Sequence, residues 1–116
     1  MHNLELGRTG EEVAARFLTA RGWMILDRNV RFREGELDII AVRDGLLAFV
    51  EVKTRRSRAF GTPAEAVTWK KAARIRRLAM QYLQKRHVFV AEVRFDVIDI
   101  AAVGDRFDVT YLEGAF

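Results

Sequence analysis

The stretch GELDIIAVRDGLLAFVEVKTRR, residues 35–56, decides how this chain folds. Two apolar runs rich in β-branched residues flank Asp44-Gly45, a dipeptide typical of a two-residue β-hairpin turn. The pattern therefore predicts an antiparallel pair of strands over residues 36–43 and 46–54.

Four charged side chains interrupt these apolar strands in a definite register. Counting back from the turn places Asp38 opposite Glu51, and Glu36 opposite Lys53. Because side chains alternate between the two faces of a strand, all four are expected to project from one face. Directly opposed Cβ atoms lie about 4.5–5.5 Å apart. Two carboxylates at that separation repel each other and raise each other's pKa, unless a cation lies between them.

A divalent cation would explain why the hairpin carries these charges. Carboxylate oxygens are hard ligands, and an incomplete shell of them suits Mg²⁺ or Mn²⁺. Lys53, two residues after Glu51, would then stabilise developing negative charge or orient an attacking water. The competing interpretation is a solvent-exposed hairpin face with a Glu36–Lys53 ion pair and a solvated Asp38.

A helix before the hairpin offers one more carboxylate. Residues from about Gly10 to Ala20 form an apolar stripe at helical spacing, with Thr9 as the predicted N-cap. The helical phase turns Glu11 toward the surface on which the helix packs, and Glu12 toward solvent, where Arg16 can pair with it. Glu11 could equally be a glutamate favoured by the dipole of the helix N-terminus.

The remaining elements complete one predicted α/β domain over residues 1–116. Strands are predicted at 23–30, 92–102 and 106–112, and a long helix from Thr62, with a capping box closed by Glu65, to Arg86. The order is α-β-β-β-α-β-β. Because a helix that crosses over a sheet usually joins parallel strands, we expect a central mixed sheet flanked by helices.

The charge composition favours a polyanionic partner. The net charge is +4, and arginine outnumbers lysine by 16 to 4 among the basic residues. Arginine forms bidentate contacts with phosphate, although a compositional bias of the genome would give the same mix. Two candidate phosphate-binding groups stand out: the loop residues Arg55, Arg56 and Arg58, and the helix residues Lys70, Arg74 and Arg77. Such contacts carry affinity without base specificity.

Several classes of protein are disfavoured. The absence of cysteine excludes thiolate chemistry and Cys-type zinc sites. Since no apolar run approaches the length of a membrane-spanning helix and the first residues lack a signal peptide's apolar segment, we expect a cytoplasmic protein that does not bind membranes.

Taken in order, these motifs resemble the PD-(D/E)XK nuclease superfamily. An acidic residue on the first helix, Glu11, is followed by Asp38 and then by Glu51-Val52-Lys53. The spacing resembles that of archaeal Holliday junction resolvases. The chain is similar over about residues 7–100 to the bacterial YraN-like family of small predicted endonucleases, through the segments GEEVAARFL, RNVRFREGELDIIA, FVEVKTR, FGTPAEAV and RFDVIDI. It departs from the superfamily's motif at the residue before Asp38, where Leu37 stands in place of the proline.

The resemblance implies a restriction-endonuclease-like fold and a Mg²⁺- or Mn²⁺-dependent endonuclease that hydrolyses DNA, with branched DNA as one candidate substrate. It implies that Asp38, Glu51 and the backbone carbonyl of Val52 bind the metal. Glu11 would complete the site through a water or a second metal, and Lys53 would position the nucleophile.

Glu36 is a candidate outer-shell residue of that site. An enzyme that cuts four-way junctions needs two active sites, so that activity would imply a homodimer. Two other functions fit the sequence: a non-catalytic nucleic-acid-binding protein with the same fold, and an assembly protein whose basic helix binds an acidic partner. Metal-dependent cleavage would distinguish the nuclease from both alternatives. Salt-dependent DNA binding without cleavage would indicate the non-catalytic nucleic-acid-binding protein.

Overall fold

The computed structural model describes the backbone of residues 3–56 and 67–116, and the side chains of the same ranges from residue 7 onward. Their order confirms the predicted series of elements. In chain order they are α1 (Asn3–Ala20), β1 (Met24–Phe32), β2 (Gly35–Arg43), β3 (Leu46–Arg55), α2 (Trp69–Arg86), β4 (Glu92–Val103) and β5 (Arg106–Leu112).

The strands form one mixed five-stranded sheet in the order β1-β2-β3-β4-β5. Neighbouring strands are antiparallel except for β3 and β4, which run parallel. The chain between these two strands passes through α2, so the prediction of a parallel pair joined by a helical crossover is confirmed.

The central hairpin has the predicted two-residue turn. Arg43 pairs with Leu46, and Asp44 and Gly45 occupy the turn with φ angles of 50° and 78°. Positive φ at both central positions is the geometry whose twist matches that of the flanking strands, and Asp-Gly adopts it readily. The turn therefore fixes the register of β2 against β3.

In the described part of the chain, one helix covers each face of the sheet. On the α1 face, Ala14 and Leu18 pack on apolar residues of the three central strands, including Ile39 and Val50. On the α2 face, Ile75, Leu78, Ala79 and Tyr82 pack on Leu37, Ile40, Leu47 and Phe49. In the part of the chain described by the structure, no helix is long and apolar enough to cross a membrane.

Neither helix begins at the N-cap predicted for it, which was Thr9 for α1 and Thr62 for α2. The helix α1 starts at Asn3, so Thr9 lies inside it and the predicted N-cap is wrong. An N-cap contributes only about 1 kcal/mol, and upstream residues that hold helical geometry override it. The helix α2 starts at Trp69, and the N-cap Thr68 accepts a hydrogen bond from the backbone of Lys71. The predicted capping box at 62–65 lies outside the described residues, whereas the end at Arg86 is confirmed.

The sheet divides at one end of the central hairpin. Pairing of β2 with β3 runs from the turn to Ile39 and Val50. Beyond that point β2 stays paired with β1 as far as Gly35, and β3 stays paired with β4 as far as Arg55. The two halves of the sheet therefore separate beyond the pair of Ile39 and Val50. Asp38, the next residue of β2 away from the turn, lies at this fork.

Candidate active site

Three carboxylates converge at this fork. Glu11 of α1 and both Glu36 and Asp38 of β2 each place one oxygen so that all three oxygens lie within 4.8 Å of one another. They line an open cleft of about 600 Å³. Other side chains of that cleft are Arg8, Asn29, Arg31, Lys53, Thr54 and Lys71, so among the described residues it combines three acidic groups with four basic ones.

Close packing of α1 on β3 carries Glu11 to the cleft. Gly10 faces Thr54, and a Cβ at position 10 would overlap the threonine side chain. Glycine therefore permits an approach of helix and strand that any other residue would obstruct. The next residue, Glu11, reaches the hairpin carboxylates as a consequence.

The predicted difference between the two neighbouring glutamates is confirmed. Glu11 lies in the carboxylate cluster, and its pKa is raised, first by burial and then by the charge of Glu36. Glu12 is about half exposed and forms ion pairs with Arg16 at 3.3 Å and Arg28 at 3.1 Å. Hydrogen bonding to Arg28 lowers the pKa of Glu12, so of these two glutamates Glu11 is the one in the repulsive environment of the cleft.

Asp38 carries the most perturbed carboxyl group of the cluster. Burial raises its pKa to about 8, reinforced by the negative charges of Glu51, Glu11 and Glu36. The backbone N–H of Val52 donates to Asp38 Oδ2 at 2.8 Å and partly opposes this shift. A carboxylate held in this way is unfavourable unless a proton or a cation neutralises it.

The stability of the cation-free protein is therefore expected to fall as the pH rises. Between the ordinary Asp pKa of 3.8 and the folded value of about 8, Asp38 keeps a proton that the unfolded chain has lost. The folded state then binds more protons than the unfolded state, so the free energy of unfolding decreases over this window. Melting temperatures in EDTA should fall from about pH 5 to about pH 8.5, more steeply than those of Asp38→Asn. Equal slopes for both proteins would contradict the raised pKa.

Glu36, rather than Glu51, belongs to the close carboxylate cluster, and ligation of a metal by Glu51 stays a prediction. The Glu51 carboxylate, predicted to be a metal ligand, is mostly buried and forms an ion pair with Lys71 Nζ at 2.7 Å. Its charge acts on Asp38, but among the described residues the close carboxylate cluster does not include it. Glu36, expected in the outer shell, belongs to that cluster, and Arg31 Nε donates to it at 3.2 Å. The hairpin register alone missed this because the paired ladder ends before either glutamate.

Lys53 and Val52 lie where the sequence places them. The Lys53 side chain is exposed and lines the cleft, and Val52 lies beside it. Donation from the Val52 N–H to Asp38 orients the aspartate. Ligation of a metal by the Val52 carbonyl stays a prediction.

The predicted basic surface is only partly exposed. Arg55 does not lie in a solvent-exposed loop: its side chain is 15% exposed, and its Nε and Nη2 donate to the buried Asp99 at 3.2 and 3.1 Å. Contact of Arg55 with phosphate stays a prediction, although its low exposure and its pairing with Asp99 make it less accessible than the sequence suggests. The side chains of Arg56, Lys70, Arg74 and Arg77 are exposed, and Arg58 lies outside the described residues.

Sequence reasoning missed two contributors to the cleft. Lys71 was not distinguished from the other basic residues of α2, because its contact with Glu51 joins residues 20 positions apart. Asn29 of β1 gave no signal of its own, since a lone asparagine in a strand is usually a surface residue. The structure places its side-chain amide against Glu11 and Glu36.

Comparison with known proteins identifies relatives over nearly the whole chain. The model of the uncharacterised protein family UPF0102 matches residues 10–100. A UPF0102 protein of Rhodococcus opacus is 54% identical over 99 residues, covering 85% of this chain and 84% of its own. A UPF0102 protein of Alkaliphilus oremlandii is 44% identical over 116 residues, covering 98% and 99%. One from Symbiobacterium thermophilum is 49% identical over 112 residues, covering 96% and 95%.

Proposed function

The chain belongs to the uncharacterised protein family UPF0102, the YraN-like family, and from its acidic cleft we propose that it is a Mg²⁺- or Mn²⁺-dependent endonuclease acting on DNA. The observation that carries this proposal is the convergence of Glu11, Glu36 and Asp38 beside Lys53. An acidic cluster with an adjacent lysine can hold a cation and a phosphate at the same time.

The residues present fit a hard divalent cation. Three carboxylates with oxygens within 4.8 Å of one another offer the ligand type that Mg²⁺ and Mn²⁺ prefer. Asp38 has a pKa of about 8 because burial, and then nearby negative charge, oppose its ionisation. Glu11, Glu36 and Asp38 would therefore hold the ion, while the charge of Glu51 acts on Asp38.

Each part of the cleft has a distinct role in this proposal. When bound, a divalent cation polarises the phosphate and activates a water molecule as the nucleophile. Lys53 lines the same cleft and would stabilise the negative charge that develops on the phosphate. Arg8 and Arg31 line the cleft as well and supply guanidinium groups for the flanking phosphates.

The finer fold assignment belongs to the same proposal. A mixed sheet that carries its acidic residues at a fork between two strands, with one helix on each face, is consistent with the restriction-endonuclease-like architecture implied by the motifs. A surface of exposed Arg74, Arg77 and Lys70 on α2 offers phosphate contacts without any base-reading element. We therefore favour recognition of DNA structure, including branched DNA, over recognition of a base sequence.

The function is tested by a cleavage assay on linear, flapped and four-way DNA. The wild-type protein should cut at least one of these substrates with Mg²⁺ or Mn²⁺ and none with EDTA. Binding that weakens with salt, without cleavage in any cation, would replace the nuclease by a non-catalytic DNA-binding protein. Neither binding nor cleavage would leave the assembly-protein alternative.

Lys53→Ala is expected to separate cleavage from binding. Removing the ammonium should lower the cleavage rate by about 100-fold or more, because a preorganised positive charge acts mainly on the transition state. DNA affinity should change only about twofold, since one phosphate contact among several is lost. Rates at saturating DNA, together with affinities from fluorescence anisotropy, measure both effects.

Lys85→Ala provides the matched control, because Lys85 is an exposed lysine in the last turn of α2 and does not line the cleft in the described part of the chain. It should leave both cleavage and affinity unchanged. If Lys53→Ala cleaves as fast as the wild type, Lys53 has no part in the chemistry.

A further inference from the structure

The side chain of Asn29 contacts two of the carboxylates of the cleft, those of Glu11 and Glu36. Oriented to satisfy its hydrogen bonds, its side-chain nitrogen lies 3.1 and 2.9 Å from the two carboxylate oxygens of Glu11, and 3.0 Å from Glu36 Oε1. Two N–H groups therefore face three carboxylate oxygens. One amide thus ties together two of the three acidic residues of the cleft.

The backbone at Asn29 is shaped to make this contact. In the ladder of β1 with β2, Arg28 pairs with Ile39 and Val30 with Leu37, so Asn29 lies across from Asp38 between two paired positions. Its φ of 51° is left-handed, a conformation that asparagine tolerates better than most residues. The strand departs from regular geometry at the position that faces the acidic cluster.

We propose that Asn29 is an oxygen ligand of the divalent cation in this cleft, an inference that rests on the proposed function. In the cation-free protein its amide nitrogen neutralises part of the repulsion between Glu11 and Glu36. When the carboxylates turn their lone pairs to a cation, a half-turn of the amide exchanges nitrogen for oxygen without moving the backbone. An amide oxygen, like a carboxylate oxygen, is a hard ligand of the kind that Mg²⁺ and Mn²⁺ accept.

The opposite role makes an opposite prediction. If Asn29 only bridges the two glutamates through its N–H groups, it stabilises the cation-free state and competes with the cation. Its removal would then strengthen cation binding. If its oxygen is a ligand, its removal weakens binding, so the sign of the change decides between the two roles.

Asn29→Gly tests this with little risk to the fold, because glycine adopts a left-handed φ without strain. Calorimetric titration of Mn²⁺ into the purified protein should show affinity reduced by about tenfold or more relative to wild type. Asn29→Asp, which keeps an oxygen at this position, should bind Mn²⁺ at least as tightly as wild type. Its melting temperature in EDTA should be lower, because a fourth carboxylate joins the cluster.

Nuclear magnetic resonance gives a readout independent of affinity. The sequence contains only two asparagines and two glutamines, so few side-chain amide signals are present and Asn29→Gly identifies the relevant pair. Saturation with Mg²⁺ should shift the Asn29 amide protons, which lose their hydrogen bonds to carboxylates, and leave the signals of Gln81 and Gln84 of α2 in place.

Unchanged or stronger Mn²⁺ binding by Asn29→Gly would overturn the assignment of Asn29 while leaving the nuclease proposal intact. Weak binding by Asn29→Asp, equal to that of Asn29→Gly, would overturn it too. Absence of Mn²⁺ binding by the wild-type protein would overturn both the assignment and the proposed function.

Discussion

Asp38→Asn is expected to raise the melting temperature of the cation-free protein at about pH 8.5 and to abolish its stabilisation by Mg²⁺ or Mn²⁺. The pKa of Asp38 is raised to about 8, chiefly by burial and by Glu51, so its ionised form is costly in the folded state. Asparagine is nearly isosteric, carries no charge and can still accept the hydrogen bond from Val52. We expect a gain of about 2 kcal/mol, or roughly 5–10 °C.

Glu12→Gln is the matched control for this prediction. It also removes one carboxylate charge from the same region, but Glu12 is exposed and paired with Arg16 and Arg28. Its melting temperature in EDTA should stay the same or fall slightly. Destabilisation of the cation-free protein by Asp38→Asn would contradict the repulsive character of the cluster.

Arg55→Ala is expected to destabilise the fold by about 3 kcal/mol. The Arg55 guanidinium donates twice to Asp99 Oδ2, and the Asp99 side chain is 1% exposed. Removing the arginine leaves a buried carboxylate without these bonds, and such a loss is far more costly than the net contribution of the intact pair. Urea denaturation at neutral pH measures the change.

Two further variants show whether burial is the cause. Arg106→Ala breaks another Arg–Asp pair of 3.1 Å, but Arg106 is 70% exposed, so the cost should stay below about 1 kcal/mol. Adding Asp99→Asn to Arg55→Ala should recover part of the lost stability, because the buried charge is then absent. If Arg55→Ala retains wild-type stability and loses only DNA affinity, Arg55 is a surface phosphate contact after all.

Short-range signals in the sequence predicted the register of the central hairpin and the orientation of Glu11. The Asp44-Gly45 turn has one geometry that matches the twist of the strands, so it determined the register as far as Ile39 and Val50. The phase of α1 distinguished Glu11 from its neighbour because a rotation of about 100° per residue separates an inward from an outward side chain.

Long-range contacts could not be predicted in the same way. The pairing of β3 with β4 lines up Lys53 with Asp99, but these parallel strands are joined by a long crossover that carries no register signal. The burial of Arg55 against Asp99 was therefore missed. Asn29 reaches the cluster through a left-handed backbone that follows an irregular pairing of β1, which no local motif indicates.

The most direct test of the central claim is Mn²⁺-dependent nicking of supercoiled plasmid by wild-type and Asp38→Asn proteins purified in parallel. The claim is that the cluster of Glu11, Glu36 and Asp38 holds the cation used to cut DNA. The wild-type protein should nick the plasmid in Mn²⁺ but not in EDTA, and Asp38→Asn should show no nicking while remaining folded. Equal nicking by the two proteins, or none by the wild type in Mn²⁺ or Mg²⁺, would contradict the claim.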